Sequence, residues 1–114
     1  MQTDDSSFLP RGTKLSGRYV IGPHLGSGGF GNTYVALDTK FGNGHRVAVK
    51  ELFVRGVCGR DAASGAVSVS LSANAAQFGS LLRKFIKEAE RMNGIDSPHV
   101  VRVTDVFKEN GTAY

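Results

Sequence analysis

Apolar and polar positions alternate through three stretches of the first half of the chain, and the period lengthens in the second half. Residues 19–25 open on Tyr19-Val20-Ile21 and close at Leu25 as a first strand; Asn32-Thr33-Tyr34-Val35-Ala36-Leu37 is rich in the β-branched and aromatic residues that suit a pleated surface. A third strand, Arg46-Val47-Ala48-Val49-Lys50-Glu51-Leu52, follows the turn signal Phe41-Gly42-Asn43-Gly44. Connections this short predict an antiparallel meander. From Gly56 to Ala76 the composition shifts to Gly, Ala and Ser, with alternation only at 67–72, which reads as an insert at about 54–76. Phe78, Leu81, Leu82, Phe85, Ile86, Ala89 and Met92 then recur at helical spacing, and Asn93-Gly94 stops the helix. Residues 100–107 predict a fourth strand, Glu109-Asn110-Gly111 a hairpin turn, and residues 112–114 the start of a fifth strand. The fold class expected is α+β: a twisted antiparallel sheet of about five strands, the fifth truncated, with one main helix. Residues 1–17 show no sustained period and read as a flexible tail ahead of a domain at 18–114.

Composition narrows the function classes. The chain has 114 residues, one domain's worth, with 40% hydrophobic and 21% charged positions, a balance that suits a folded chain. Its formal charge of +4 fits a solvated surface, so no nucleic-acid partner is expected. A single cysteine, Cys58, excludes an internal disulfide, cannot by itself form a metal site and points to a reducing cytoplasm. Residues 1–7 are polar and acidic where a signal peptide needs positive charge, and no apolar run spans a bilayer, so no membrane association is expected.

The glycines cluster as Gly26-Ser27-Gly28-Gly29-Phe30-Gly31. The spacing G-x-G-x-x-G occurs in two unrelated phosphate-binding structures, so the neighbouring elements must decide between them. A dinucleotide-binding fold needs a helix directly after the third glycine, with an acid about twenty residues on. Glu51 stands at that distance, but strand residues, not helical ones, follow Gly31. The other structure is a β-hairpin folded over phosphates, where side chains at the glycines would keep the backbone N–H groups away from the phosphate oxygens and Phe30 at the tip would help exclude water. A ligand-free flexible hairpin is the plainer alternative, so the cluster needs partners.

Lys50 and Ala48 share one face of the third strand, an arrangement that suits a flat ring on the alanine with its charged tail near the ammonium. Residues 25–36 followed by Val47-Ala48-Val49-Lys50 resemble the glycine-rich loop and third-strand lysine of eukaryotic-type (Hanks-type) serine/threonine protein kinases. Phe85-Ile86-Lys87-Glu88-Ala89 and Ser97-Pro98-His99 are similar to that family's single helix of the N-terminal lobe and the segment after it, which makes Glu88 the partner of Lys50. Helix geometry alone favours Glu88 over Glu90 only slightly. The residues Cys58-Gly59-Arg60-Asp61 and the serine-rich stretch after them are similar to kinases of gut bacteria. The family usually has Val where Thr33 stands, and often His where Ser97 stands.

The resemblance implies an ATP-binding lobe that serves phosphoryl transfer to protein hydroxyl groups. The implied catalytic residues are Lys50 and Glu88. The implied nucleotide contacts are Leu25, Gly26, Ser27, Gly28, Gly29, Phe30, Gly31, Thr33, Ala48 and Lys50. The Mg2+ ligands, the catalytic Asp and the protein-substrate surface would belong to the family's H-R-D and D-F-G segments in the C-terminal lobe, so the chain reads as a fragment, inactive alone and able to self-associate through an exposed strand edge. A pseudokinase or regulatory interaction module without catalysis is the competing class.

Overall fold

The alternating stretches form the strands expected of them, and their register shows which face is buried. The computed structural model describes residues 7–42, 44–69, 72–95, 97–99 and 102–114. In chain order the elements are β1 (Lys14–Leu15), β2 (Tyr19–Ser27), β3 (Gly31–Asp38), a 3-10 turn (Thr39–Phe41), β4 (His45–Leu52), β5 (Cys58–Arg60), β6 (Val67–Val69), α1 (Ser72–Asn93), β7 (Lys108–Glu109) and β8 (Thr112–Ala113). Strands β1-β2-β3-β4 form one antiparallel sheet in that order, and β5-β6 and β7-β8 are separate two-stranded ladders.

Side chains alternate across β3 and β4. Asn32, Tyr34, Ala36 and Asp38 are buried on one face of β3, and Thr33 pairs with Lys50 and Val35 with Ala48 on the other. Pro23, which cannot donate to a ladder, lies where the β2–β3 register shifts between Ile21 and His24, as a bulge permits. The core behind the sheet gathers Leu9, Leu15, Tyr19, Ile21, Tyr34, Ala36, Val49 and Tyr114. At the start of β2 the Arg18 guanidinium grips both oxygens of Asp38 at 2.7 Å and holds that carboxyl down at about 2.

Three expectations need correction. The expected tail at 1–17 is tied down over its described part: Leu9 and Leu15 are buried in the core, Phe8 stacks on His24 at 3.9 Å, and β1 pairs with β2, while residues 1–6 lie outside the described residues. The sheet has four strands, not about five: among the described residues 102–106 joins no strand despite its Val and Thr content, and Phe107 pairs instead with Tyr114, their N–H groups donating to each other's carbonyls at 3.0 and 2.8 Å. Valines 100 and 101 lie outside the described residues. The expected hairpin is present but short: its first strand, β7, is Lys108–Glu109 and not 100–107, its second, β8, falls in the expected 112–114, and it is attached to β4 by Thr112 Oγ1 donating to the Leu52 carbonyl at 2.6 Å. Its turn has the expected Asn-Gly chemistry, with φ of 56° at Asn110 and 76° at Gly111, and any Cβ at Gly111 would overlap the Val67 carbonyl.

The insert folds as the hairpin β5-β6 and supplies part of a second core, formed by Leu52, Phe53, Val54, Val67 and Phe78. α1 ends at Asn93 as expected but starts at Ser72, ahead of Phe78. Ala75, Ala76 and Gln77 explain the extra turn: they are strong helix formers, yet too small or too polar to show in an apolar period. No helix among the described residues is long and apolar enough to cross a membrane.

Candidate functional site

A cavity of about 1180 Å³ opens between β4 and α1. One wall comes from the sheet, with Phe30 at the hairpin tip, Thr33 on β3, and Ala48 and Lys50 on β4. The opposite wall is the α1 face carrying Leu81, Phe85, Glu88, Ala89 and Met92, and Arg102–Asp105 close a third side. Period-two alternation places Ala48 and Lys50 on the open face, while Val49 and Glu51 turn into the core. The cavity therefore has an apolar body with cations at its edge, the form of a site for a flat ring with an anionic tail.

Of the residues expected at the site, Phe30, Thr33, Ala48, Lys50 and Glu88 meet in this cavity. Leu25 does not line it, and its side chain is exposed. Glu88 is not on Lys50: its carboxylate takes Arg91 Nη2 at 2.6 Å, on the exposed surface of α1. That is an i,i+3 pair in water, worth about 0.2–0.5 kcal/mol, so a competing cation displaces it easily.

The glycine hairpin is a tight turn closed by the Gly28 N–H donating to the Gly31 carbonyl at 2.9 Å. Gly26, Gly28 and Gly29 have open space where a Cβ would stand, so nothing within the described chain excludes a side chain there. Gly31 differs. Its Cβ would meet the Glu51 carbonyl at 2.6 Å, so the neighbouring strand, rather than a ligand, excludes a side chain there.

Behind the hairpin lies a buried polar network that sequence reasoning missed. Glu51 has no solvent exposure, and its Oε1 accepts from Asn32 Nδ2 at 3.1 Å, Tyr34 OH at 2.8 Å and Arg60 Nη2 at 2.6 Å. Its Oε2 accepts from Tyr114 OH at 2.7 Å. Burial is the largest influence and works against the Arg60 charge, but the hydrogen bond to Glu51 and the electrostatic pull of Glu51, Tyr34 and Tyr114 together outweigh it and keep the guanidinium protonated. Burial, reinforced by the Glu51 charge, pushes the Tyr34 and Tyr114 hydroxyls above their ordinary range, so both remain donors. Glu51 thus anchors the fold one residue from Lys50 and binds no ribose. Burial also pushes the Cys58 thiol up, which makes it a packing residue and a poor nucleophile.

No protein-family profile matches the chain. It is 33% identical over 96 residues to a probable serine/threonine-protein kinase of Streptomyces coelicolor, an alignment covering 84% of this chain and 11% of that protein. The solved structure of PpkA-294 in its apo form superposes with a TM-score of 0.87 at 28% identity, over 95% of this chain and 37% of that one. The chain spans about a tenth of the length of the curated relative it matches. The chain is thus similar in sequence to part of a probable serine/threonine-protein kinase and in fold to part of PpkA-294.

Proposed function

We propose that this domain is the ATP-binding lobe of a protein serine/threonine kinase, working in the cytoplasm. One observation carries the reading: Lys50, Thr33, Ala48 and the hairpin tip line the same cavity as Glu88 on the facing helix. The adenine would lie on Ala48 against Thr33, and the turn 26–31 would cover the phosphates with its N–H groups. Lys50 would hold the α- and β-phosphates, and Glu88, released from Arg91, would hold Lys50. Bound ATP supplies the phosphoryl group. The residues of this chain only bind, orient and shield it from water. Mg2+ and the acceptor hydroxyl of a protein substrate would be held by a C-terminal lobe, so the domain alone transfers no phosphate.

Titration with MgATP tests this. The 114-residue chain should bind ATP in a saturable manner, and Lys50→Met should weaken that binding about tenfold, the size of one lost charge-assisted contact. Radiolabel transfer from ATP to a generic protein acceptor should be undetectable. Unmeasurable ATP binding at millimolar nucleotide would end the proposal, and it would leave the competing reading of a regulatory module without catalysis.

A further inference from the structure

We propose that Arg55 is a positioning residue for the phosphate-covering turn, and that the inserted hairpin β5-β6 is the brace holding Arg55 and its partners. The inference rests on the nucleotide-binding reading above and adds to it a residue outside the glycine motif.

Three successive carbonyls of the turn point to one short segment of chain. The Gly28 carbonyl accepts from Arg55 Nη1, the Gly29 carbonyl from the Arg55 backbone N–H at 3.1 Å, and the Phe30 carbonyl from the Phe53 N–H at 3.1 Å. Each of these peptides is planar and trans, so its N–H points opposite to its C=O. Fixing the three carbonyls on one side therefore directs the N–H groups of Gly29, Phe30 and Gly31 to the other side as a set, the arrangement that binds an anion. The first of these peptides is the least secure. Gly28 and Gly29 both accept positive φ at little cost, so the peptide between them can flip, which would swing a carbonyl oxygen to where a phosphate oxygen belongs. The side chain of Arg55 is what opposes the flip.

Arg55 is itself held in place. Its Nη2 donates to Asn32 Oδ1 at 2.6 Å, and its guanidinium lies 5.6 Å from the Phe53 ring centroid and 6.0 Å from that of Phe8. The Asn32 amide can adopt only this orientation, because its Nδ2 donates to the Ser7 carbonyl at 2.9 Å and to Glu51 Oε1 at 3.1 Å. Glu51 is pinned in turn by Arg60 of β5, whose side chain is 2% exposed and whose Nη1 reaches the Gly65 carbonyl at 2.9 Å across the insert. Among the described residues no carboxylate lies within ion-pair distance of Arg55. Among those residues its charge has no ion-pair partner behind the turn, which further favours an anion in front of it.

The test compares ATP with adenosine, which shares the ring and lacks the phosphates. In Arg55→Ala, ATP affinity should fall about tenfold, as expected when a charge-assisted hydrogen bond that preorganises a site is lost, while adenosine affinity holds. Arg55→Lys, which reaches one acceptor where arginine bridges two, should fall in between. Amide hydrogen exchange of the ligand-free chain should rise at Gly28 and Gly29 in Arg55→Ala and stay unchanged along β4, which separates a loosened turn from a damaged fold. Equal weakening of ATP and adenosine, or unaltered ATP binding in Arg55→Ala, overturns the inference and leaves the nucleotide reading standing. Failure of the unaltered chain to bind ATP removes both.

Discussion

A glutamate at position 51 with no solvent exposure, next to a lysine that faces an open cavity, shows how much a single β-strand residue depends on which side it takes. Alternation sends Lys50 outward and Glu51 inward, and the inward carboxylate must find donors or cost several kcal/mol. It finds four, from Asn32, Tyr34, Arg60 and Tyr114, contributed by β3, the insert and the chain's last residue. Removing one charge of such a pair strands the other. Glu51→Gln should therefore destabilise the domain by about 3 kcal/mol, read from the midpoint of urea unfolding. The double variant Glu51→Leu with Arg60→Met should lose clearly less than the sum of the two single changes, because apolar groups of similar volume leave no unpaired charge behind. A loss within about 0.5 kcal/mol of zero for Glu51→Gln would show that water reaches the pair.

At the scale of elements, the segments legible in the sequence are those whose pattern is local. β2, β3 and β4 follow alternation, α1 ends at its Asn-Gly signal, and the Asn110-Gly111 turn needs nothing beyond its own two residues. Lys50 and Ala48 were legible as candidates because the strand period places them on one face, whereas Glu88 was singled out mainly by the family resemblance, the helix period favouring it over Glu90 only slightly. What was not legible depends on distant partners. Leu9 and Leu15 are isolated apolar residues with no period to announce burial, and Arg55 and Arg60 look like surface charges until the insert folds back over β3 and β4. The valines and threonine at 103–106 have strand propensity but no strand to pair with. The N-terminal correction carries its own consequence. Leu9 packs in the main core, and its N–H donates to Tyr34 OH at 3.0 Å. Leu9→Ala should thus cost about 2–5 kcal/mol, the range for a truncated buried leucine. If residues 8–17 were a loose tail, thermal unfolding of this variant would match the unaltered chain.

For the whole molecule, the same cavity that suits a nucleotide leaves apolar surface open on α1. Phe78, Leu81, Leu82 and Phe85 pack toward the second core, and Leu81, Phe85, Ala89 and Met92 also line a space of about 1180 Å³, more than a ligand pocket of ordinary size. Among the described residues β4 is an edge strand of the four-stranded sheet: β3 pairs along one side, and β8 meets the other near Leu52 without continuing the ladder. An unfinished edge beside uncovered apolar side chains is the combination that drives chains to pair. Sedimentation velocity should therefore show the average mass of the 114-residue chain rising with concentration. Saturating MgATP should shift it back toward monomer, since nucleotide on Ala48 and Lys50 covers part of the same surface. A monomer across the whole concentration range would mean that Arg102–Asp105 and the helix already shield the cavity wall, and the self-association argument would then fail while the nucleotide site stood.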